Sequence, residues 1–187
     1  MVTAKAKKSK SVYAPGPENQ TVESHTLAIL VNNEPGVLAR VIGLFSGRGY
    51  NIESLTVAET DHTKHLSRIT IVCTGTPPVI EQIKNQLTRM VPVKSVDDLT
   101  TAGPYVDREL ALVKVVATGD KRIEALRIAD IFRARAVDST LSSFIFEVTG
   151  TTQKINAFID LMRPLGLVDA SRTGVAALGR GQTAIGD

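Results

Sequence analysis

The chain has 187 residues, long enough for one ordinary domain or two small ones with apolar cores, and its single cysteine, Cys73, excludes an internal disulfide. The net charge is +3, and Lys5, Lys7, Lys8 and Lys10 against Glu18 and Glu23 put most of it in the first 23 residues. The remainder is nearly neutral and lacks the electrostatic footprint of a nucleic-acid binder. Residues 1–23 are poor in large apolar side chains and carry a Pro-Gly-Pro spacer, so they read as a flexible tail. Neither the apolar core of a signal peptide nor a run long enough to span a bilayer is visible, and a cytoplasmic location without membrane contact is expected.

From His25 the pattern becomes periodic. HTLAILVN reads as a strand closed by the turn NNEPG, and Val37, Leu38, Val41, Ile42 and Phe45 predict an amphipathic helix from Gly36 to about Arg48. IESLTVAET is a second strand, DHTKH a polar connector and LSRITIVCT a third strand. Ile80, Ile83, Leu87 and Met90 mark a second helix behind Pro77-Pro78, where a missing N–H costs little, and VKSVDDLT supplies a fourth strand. The order strand, helix, strand, strand, helix, strand is the ferredoxin-like plan.

A Gly-Pro joint near TTAGPYVD separates a second half with the same rhythm. RELALVKVVA is a strand, Ala125, Ile128, Ala129 and Phe132 a helical stripe, AVDSTLSSFIFEVTG a strand pair, and Ile155, Phe158, Ile159 and Met162 another stripe. LVDASRTGVAAL closes the half in extended form, and GRGQTAIGD is expected as a loose end. The fold class is therefore α+β, two tandem ferredoxin-like βαββαβ domains over residues 24–101 and 102–187. Runs such as AILV and ITIV leave more apolar strand surface than two short helices cover, which predicts a homodimer or higher homo-oligomer.

Catalytic constellations are missing from the sequence. There is no G-x-S-x-G elbow, no phosphate loop of the G-x-x-x-x-G-K-[ST] type and no H-E-x-x-H. Asp61, His62 and His65 share the polar connector, but a third firm ligand and a rigid frame are wanting, so no metal site is expected there. Cys73 reads as a small buried hydrophobe, and the glycine pair at 179–181 lacks the preceding strand that a phosphate cradle needs. Aromatic residues are absent from LSRITIVC, which removes an RNA-stacking reading.

The turn NNEPG admits two readings. Asn33 stands where a helix N-cap would, with Pro35 and Gly36 in the first turn, and such punctuation is ordinary at a strand-to-helix junction. The same turn also suits a small carboxylate, because a helix start offers unpaired N–H groups and Gly36 permits close approach. Asn51, at the far end of the helix, would join such a site only from a symmetry mate.

The run NNEPGVLARVIGLFSGRGYNIESLTVAETD, followed by LSRITIV and VDRELALVKV, closely resembles the regulatory small subunit of acetolactate synthase, also called acetohydroxyacid synthase, from Ser24 to about Gly181. The resemblance implies that the first domain is an ACT domain and that the chain is a non-catalytic partner of a large subunit. That subunit would carry thiamine diphosphate, FAD and magnesium, leaving no cofactor on this chain. It implies activation of the large subunit and feedback inhibition by valine in branched-chain amino acid synthesis. Valine would sit between two chains, on Asn33, Gly36, Val37 and Leu38 of one and Asn51 and Ile52 of the other. The second domain would serve full activation. The lysine-rich tail and a longer DHTKH connector depart from the family pattern. A stand-alone ACT-type amino-acid sensor acting on another partner is the alternative.

Overall fold

In the computed structural model, residues 21–61 and 63–186 are described, so the expectations for residues 1–20 and for His62 fall outside the described residues. Strands β1 (Glu23–Asn32), β2 (Ile52–Asp61), β3 (Leu66–Gly75) and β4 (Val93–Asp98) form an antiparallel sheet in the order β2-β3-β1-β4. Helices α1 (Val37–Arg48) and α2 (Pro77–Thr88) cover one face of it. The buried side chains are those at alternate strand positions and at helical spacing: Leu27, Ile29 and Val31, Ile69 and Ile71, Val41 and Phe45, Ile80, Ile83 and Leu87.

The one-turn helix α3 (Leu99–Ala102) leads into β5 (Tyr105–Val116). Then follow α4 (Gly119–Ile131), β6 (Arg135–Ser139), β7 (Ser143–Gly150), α5 (Thr152–Gly166) and β8 (Leu167–Arg172), and the sheet order β6-β7-β5-β8 repeats that of the first domain. Ala125, Ile128, Ile155, Phe158 and Met162 pack on Val113, Val115, Phe144 and Phe146 in a second core. Both domains are thus α+β units of the expected ferredoxin-like plan.

The repeat extends to how the first helix of each domain ends. Tyr50 N–H donates to the Phe45 carbonyl at 3.0 Å and Gly49 N–H to that of Ser46 at 3.3 Å, with Gly49 at φ 70. This pair of bonds is a Schellman closure, and the accompanying apolar contact is the Phe45–Tyr50 ring pair, 6.2 Å apart and near edge-on. After α4 the same two bonds run from Ala134 to Ala129 and from Arg133 to Asp130, with Arg133 in the left-handed region at φ 54. Where the first domain uses glycine, the second holds a strained arginine.

Two expectations are corrected. Gly36, at φ 80, is the N-cap of α1, and Asn33 is not; Pro35 lies outside the helix, and no side chain caps its start. The closing extended stretch LVDASRTGVAAL is broken into two strands, β8 and β9 (Ala176–Gly179), the second of which pairs with the first residues of β5, and the expected loose end continues from it with Arg180 N–H donating to the Pro104 carbonyl at 2.9 Å. Residues 173–186 run over the face of the first sheet that the helices leave open, with Val175 and Ala177 buried against Ala28, Val72 and Leu99 and with Ile185 at the margin. Leu27, Ala28 and Ile29 are consecutive and all fully buried, as a strand covered on both faces requires. The apolar surplus of β1 and β3 that predicted a second copy is met here by the chain itself.

Candidate functional site

The turn between β1 and α1 is held by three backbone hydrogen bonds, two of them to other parts of the chain. Asn32 N–H donates to the Pro92 carbonyl at 2.8 Å, Asn33 N–H to that of His65 at 2.7 Å, and Glu34 N–H to that of Asn32 at 2.9 Å. The turn is therefore fastened both to the β2–β3 connector and to the entry of β4. Val37 N–H bonds the Glu34 carbonyl at 3.2 Å, and the first bond of the helix proper is Arg40 N–H to the Gly36 carbonyl at 3.1 Å. The N–H groups of Leu38 and Ala39 precede that bond and have no carbonyl of the helix to use. They carry the positive end of the helix dipole.

Gly36 is exposed, and a Cβ built on it meets nothing within 4 Å. Glycine is demanded there by the backbone, since φ of 80 is costly for most residues, and not by crowding from the chain. The space beside Gly36 is open, and no acid occupies the first turn of the helix. That combination is chemically suited to a small carboxylate.

Asn33 and Gly36 are exposed at this head, and Leu38 is half-buried. Val37 is turned into the core and its N–H is taken, so it shapes the floor rather than the contact surface. Asn51 is exposed just before β2, and Ile52 packs partly against the helix-side core. The twelve residues of α1 separate the two groups by about 18 Å at 1.5 Å per residue. One chain therefore brings Asn33, Gly36, Val37 and Leu38 together, and Asn51 with Ile52, but not the two sets to each other.

A cleft of about 550 Å³ lies between the two domains, lined among others by Ser24, Glu53, Ser54, Asp107, Glu109 and Arg172. Among its described lining residues the only cation is committed: Arg172 grips Glu109 through two hydrogen bonds of 2.7 Å. That bond holds the guanidinium pKa above its ordinary value. With Glu53 and Asp107 left over, the cleft repels a carboxylate, and the helix head is the better seat for one.

The polar connector forms a turn on Asp61, whose carboxylate accepts Thr63 Oγ1 at 2.6 Å, Thr63 N–H at 2.9 Å and Lys64 N–H at 3.1 Å. These bonds, led by that of the Thr63 hydroxyl, hold its pKa below the ordinary carboxylate value. Among the described residues no three His, Cys, Asp or Glu side chains stand close enough to hold a metal.

Cys73 is fully buried, and burial, helped by Asp98 and Glu53, pushes its thiol up to about 11. The structure does place a histidine beside it, which the linear sequence hides: His25 is its cross-strand partner and bonds Asp98 at 2.8 Å. Asp98 also accepts Thr100 N–H at 3.1 Å, so the trio fastens β1 to the start of α3. A thiol held neutral and out of reach of solvent is a packing group, not a nucleophile.

Comparison with known proteins agrees with this architecture domain by domain. Residues 27–95 match a family profile described as the AHAS small subunit-like ACT domain, and residues 108–181 match one described as the small subunit of acetolactate synthase. The chain is 50% identical over 157 residues to a probable acetolactate synthase small subunit of Archaeoglobus fulgidus, covering 84% of this chain and 97% of that one. It is 47% identical over 156 residues to the acetolactate synthase isozyme 3 small subunit of Escherichia coli, covering 83% and 94%. Among solved structures, the acetolactate synthase small subunit of Thermotoga maritima superposes with a TM-score of 0.78 at 36% identity, covering 86% of this chain and 99% of that one.

Proposed function

The chain belongs to the acetolactate synthase small-subunit family, and from that premise we propose that it binds and activates the catalytic large subunit and makes it sensitive to valine. In this reading thiamine diphosphate, FAD and magnesium reside in the large subunit, the complex works in the cytoplasm, and this chain contributes regulation without an active site of its own. The observation that carries it is the head of α1, where the open backbone at Gly36 stands before the unbonded amides of Leu38 and Ala39. The ligand's carboxylate is received there by N–H groups and dipole together.

The site is completed by a second copy, whose Asn51 supplies an amide able to donate or accept and whose Ile52 supplies apolar surface. This sharing, in place of an uncovered sheet face, is the argument for a homodimer. Valine regulates by binding one arrangement of the paired first domains more tightly than another, since a ligand moves an equilibrium only by its differential affinity. Reconstitution tests the whole reading. The purified chain is expected to associate with the large subunit, raise its acetolactate-forming rate, and confer inhibition by valine that the large subunit alone lacks. Absence of association and of any rate increase sends the reading to an amino-acid sensor with another partner.

A further inference from the structure

Opposite β2, the register on β3 jumps, with Ile52 facing Cys73 and Ser54 facing Val72. Glu53 is therefore the inserted residue of a β-bulge. In an unbroken strand residues two apart share a face, but here Ile52 packs on the helix side while Ser54 points to the opposite side. The bulge stands between the effector end of β2 and a polar pair, Ser54 and Thr56, that holds a distant part of the chain.

That part is Thr173–Val175. Val175 N–H donates to Ser54 Oγ at 2.8 Å, and Thr56 Oγ1 donates to the Thr173 carbonyl at 3.4 Å. Between them Gly174, at φ +81, lies flat on β2: a Cβ there would stand 2.9 Å from both hydroxyl oxygens and 3.2 Å from the Leu55 carbonyl oxygen. On its other side Thr173 is tied to the central strand of the second sheet, its N–H donating to the Leu110 carbonyl at 3.0 Å and its Oγ1 accepting Leu110 N–H at 3.1 Å. The preceding residue, Arg172, holds Glu109 on the same strand.

We propose that this seam, Thr173–Val175 seated on Ser54 and Thr56, carries the state of the effector end of β2 into the second domain. The inference rests on the reading of Asn51 and Ile52 as effector residues. Coupling between sites needs an element with two arrangements that both sites bias. The bulge supplies one: Glu53 and Ser54 both line the interdomain cleft as it stands, and moving the inserted position one residue along β2 turns Ser54 away from the seam. A ligand held at Asn51 and Ile52 pulls on one side of that bulge, and Gly174 leaves no slack on the other. Ser54 and Gly174 are thus positioning residues that contact no ligand.

The test uses the full chain reconstituted with the large subunit, comparing wild type with Ser54→Ala/Thr56→Val and, separately, with Gly174→Ala. Valine affinity of the small subunit, measured by calorimetry, is expected to stay within about twofold, while maximal inhibition of the complex at saturating valine falls by roughly half or more. Ser54→Ala alone removes one acceptor and adds no bulk, and it gives the same reading should the other variants fold poorly. Inhibition curves that superimpose on wild type overturn the seam, as does an affinity that falls in step with inhibition, since the seam would then only support the site. Failure of the wild-type chain to bind valine, leucine or isoleucine instead overturns the effector reading, and the seam with it.

Discussion

At Gly36 a single residue tests the seat of the acid. The backbone there is left-handed and the space beyond it is empty, so an aspartate has room, and it is among the side chains that enter the left-handed region at least cost. Its carboxylate would lie before the Leu38 and Ala39 amides and hold the place of the ligand's own. Gly36→Asp is expected to abolish valine inhibition of the reconstituted complex while leaving activation within about twofold, because allosteric coupling of about 1–3 kcal/mol is lost without loss of the contacts to the large subunit. Retained inhibition would falsify this placement.

Cys73 tests burial by pH. Its thiol is raised to about 11, above the ordinary value of 9.0, so the fold favours the neutral form. The corresponding stability is fully present below pH 9 and is lost as pH rises through about 11. Urea unfolding of wild type and Cys73→Ala should therefore converge between these limits, by about 2 kcal/mol. Parallel stability curves up to the upper limit would show that the thiol is not desolvated.

At the scale of the element, the second domain closes on Gly166. At φ +108 it sits where an added Cβ would stand 2.1 Å from the Val116 carbonyl oxygen, a backbone atom that cannot swing aside. Gly166→Ala combines left-handed strain with overpacking, and a loss of roughly 3 kcal/mol in unfolding free energy is expected. A change below about 0.5 kcal/mol in denaturant titration, the size of an ordinary surface substitution, would mean that α5 and β8 shift freely at this corner.

The same scale shows what the sequence discloses. Helical spacing reveals α1, α2, α4 and α5, because each buries its stripe against its own sheet and period is a local property. Local reasoning misplaced the N-cap at Asn33, since side-chain preference at that position yields to a glycine backbone at Gly36. It also read β8 and β9 as one extended stretch, leaving the pairing of β9 with β5 and the seam unseen. Ser54 and Val175 are 121 positions apart, and nothing in SRTGV tells that its glycine must lie against a strand in the other half of the chain. Of the candidate site, the turn chemistry at the helix head and the length of α1 between Gly36 and Asn51 are both legible in the sequence, whereas the bonds that fasten the turn to His65 and Pro92 are not, because those partners lie far along the chain.

The whole molecule is held together by two devices that cross the domain boundary. β5 pairs with β9 through Tyr105–Arg108 and with β7 from Glu109 onward, so one continuous strand serves both neighbourhoods. Residues 173–186 then return over the first sheet, where Arg68 donates to the Ala177 carbonyl at 2.8 Å and Val175 and Ala177 fill the open face. Domains joined only by a short linker unfold independently, whereas burial shared between two cores couples their unfolding. The intact chain is accordingly expected to melt in a single calorimetric transition. A chain ending at Arg172 loses the return segment, uncovers Ala28, Val72 and Leu99, and leaves Thr56 and Arg68 without their partners. Its first domain should melt separately and earlier, by about 5 °C or more for a loss of 1 kcal/mol or more in a unit of this size. The second domain keeps its core of Val113, Phe146 and Phe158 and should hold its own midpoint. Two unchanged, superimposed transitions in the shortened chain would mean that the return segment rests on the first sheet without stabilising it, and that the domains are coupled through β5 alone.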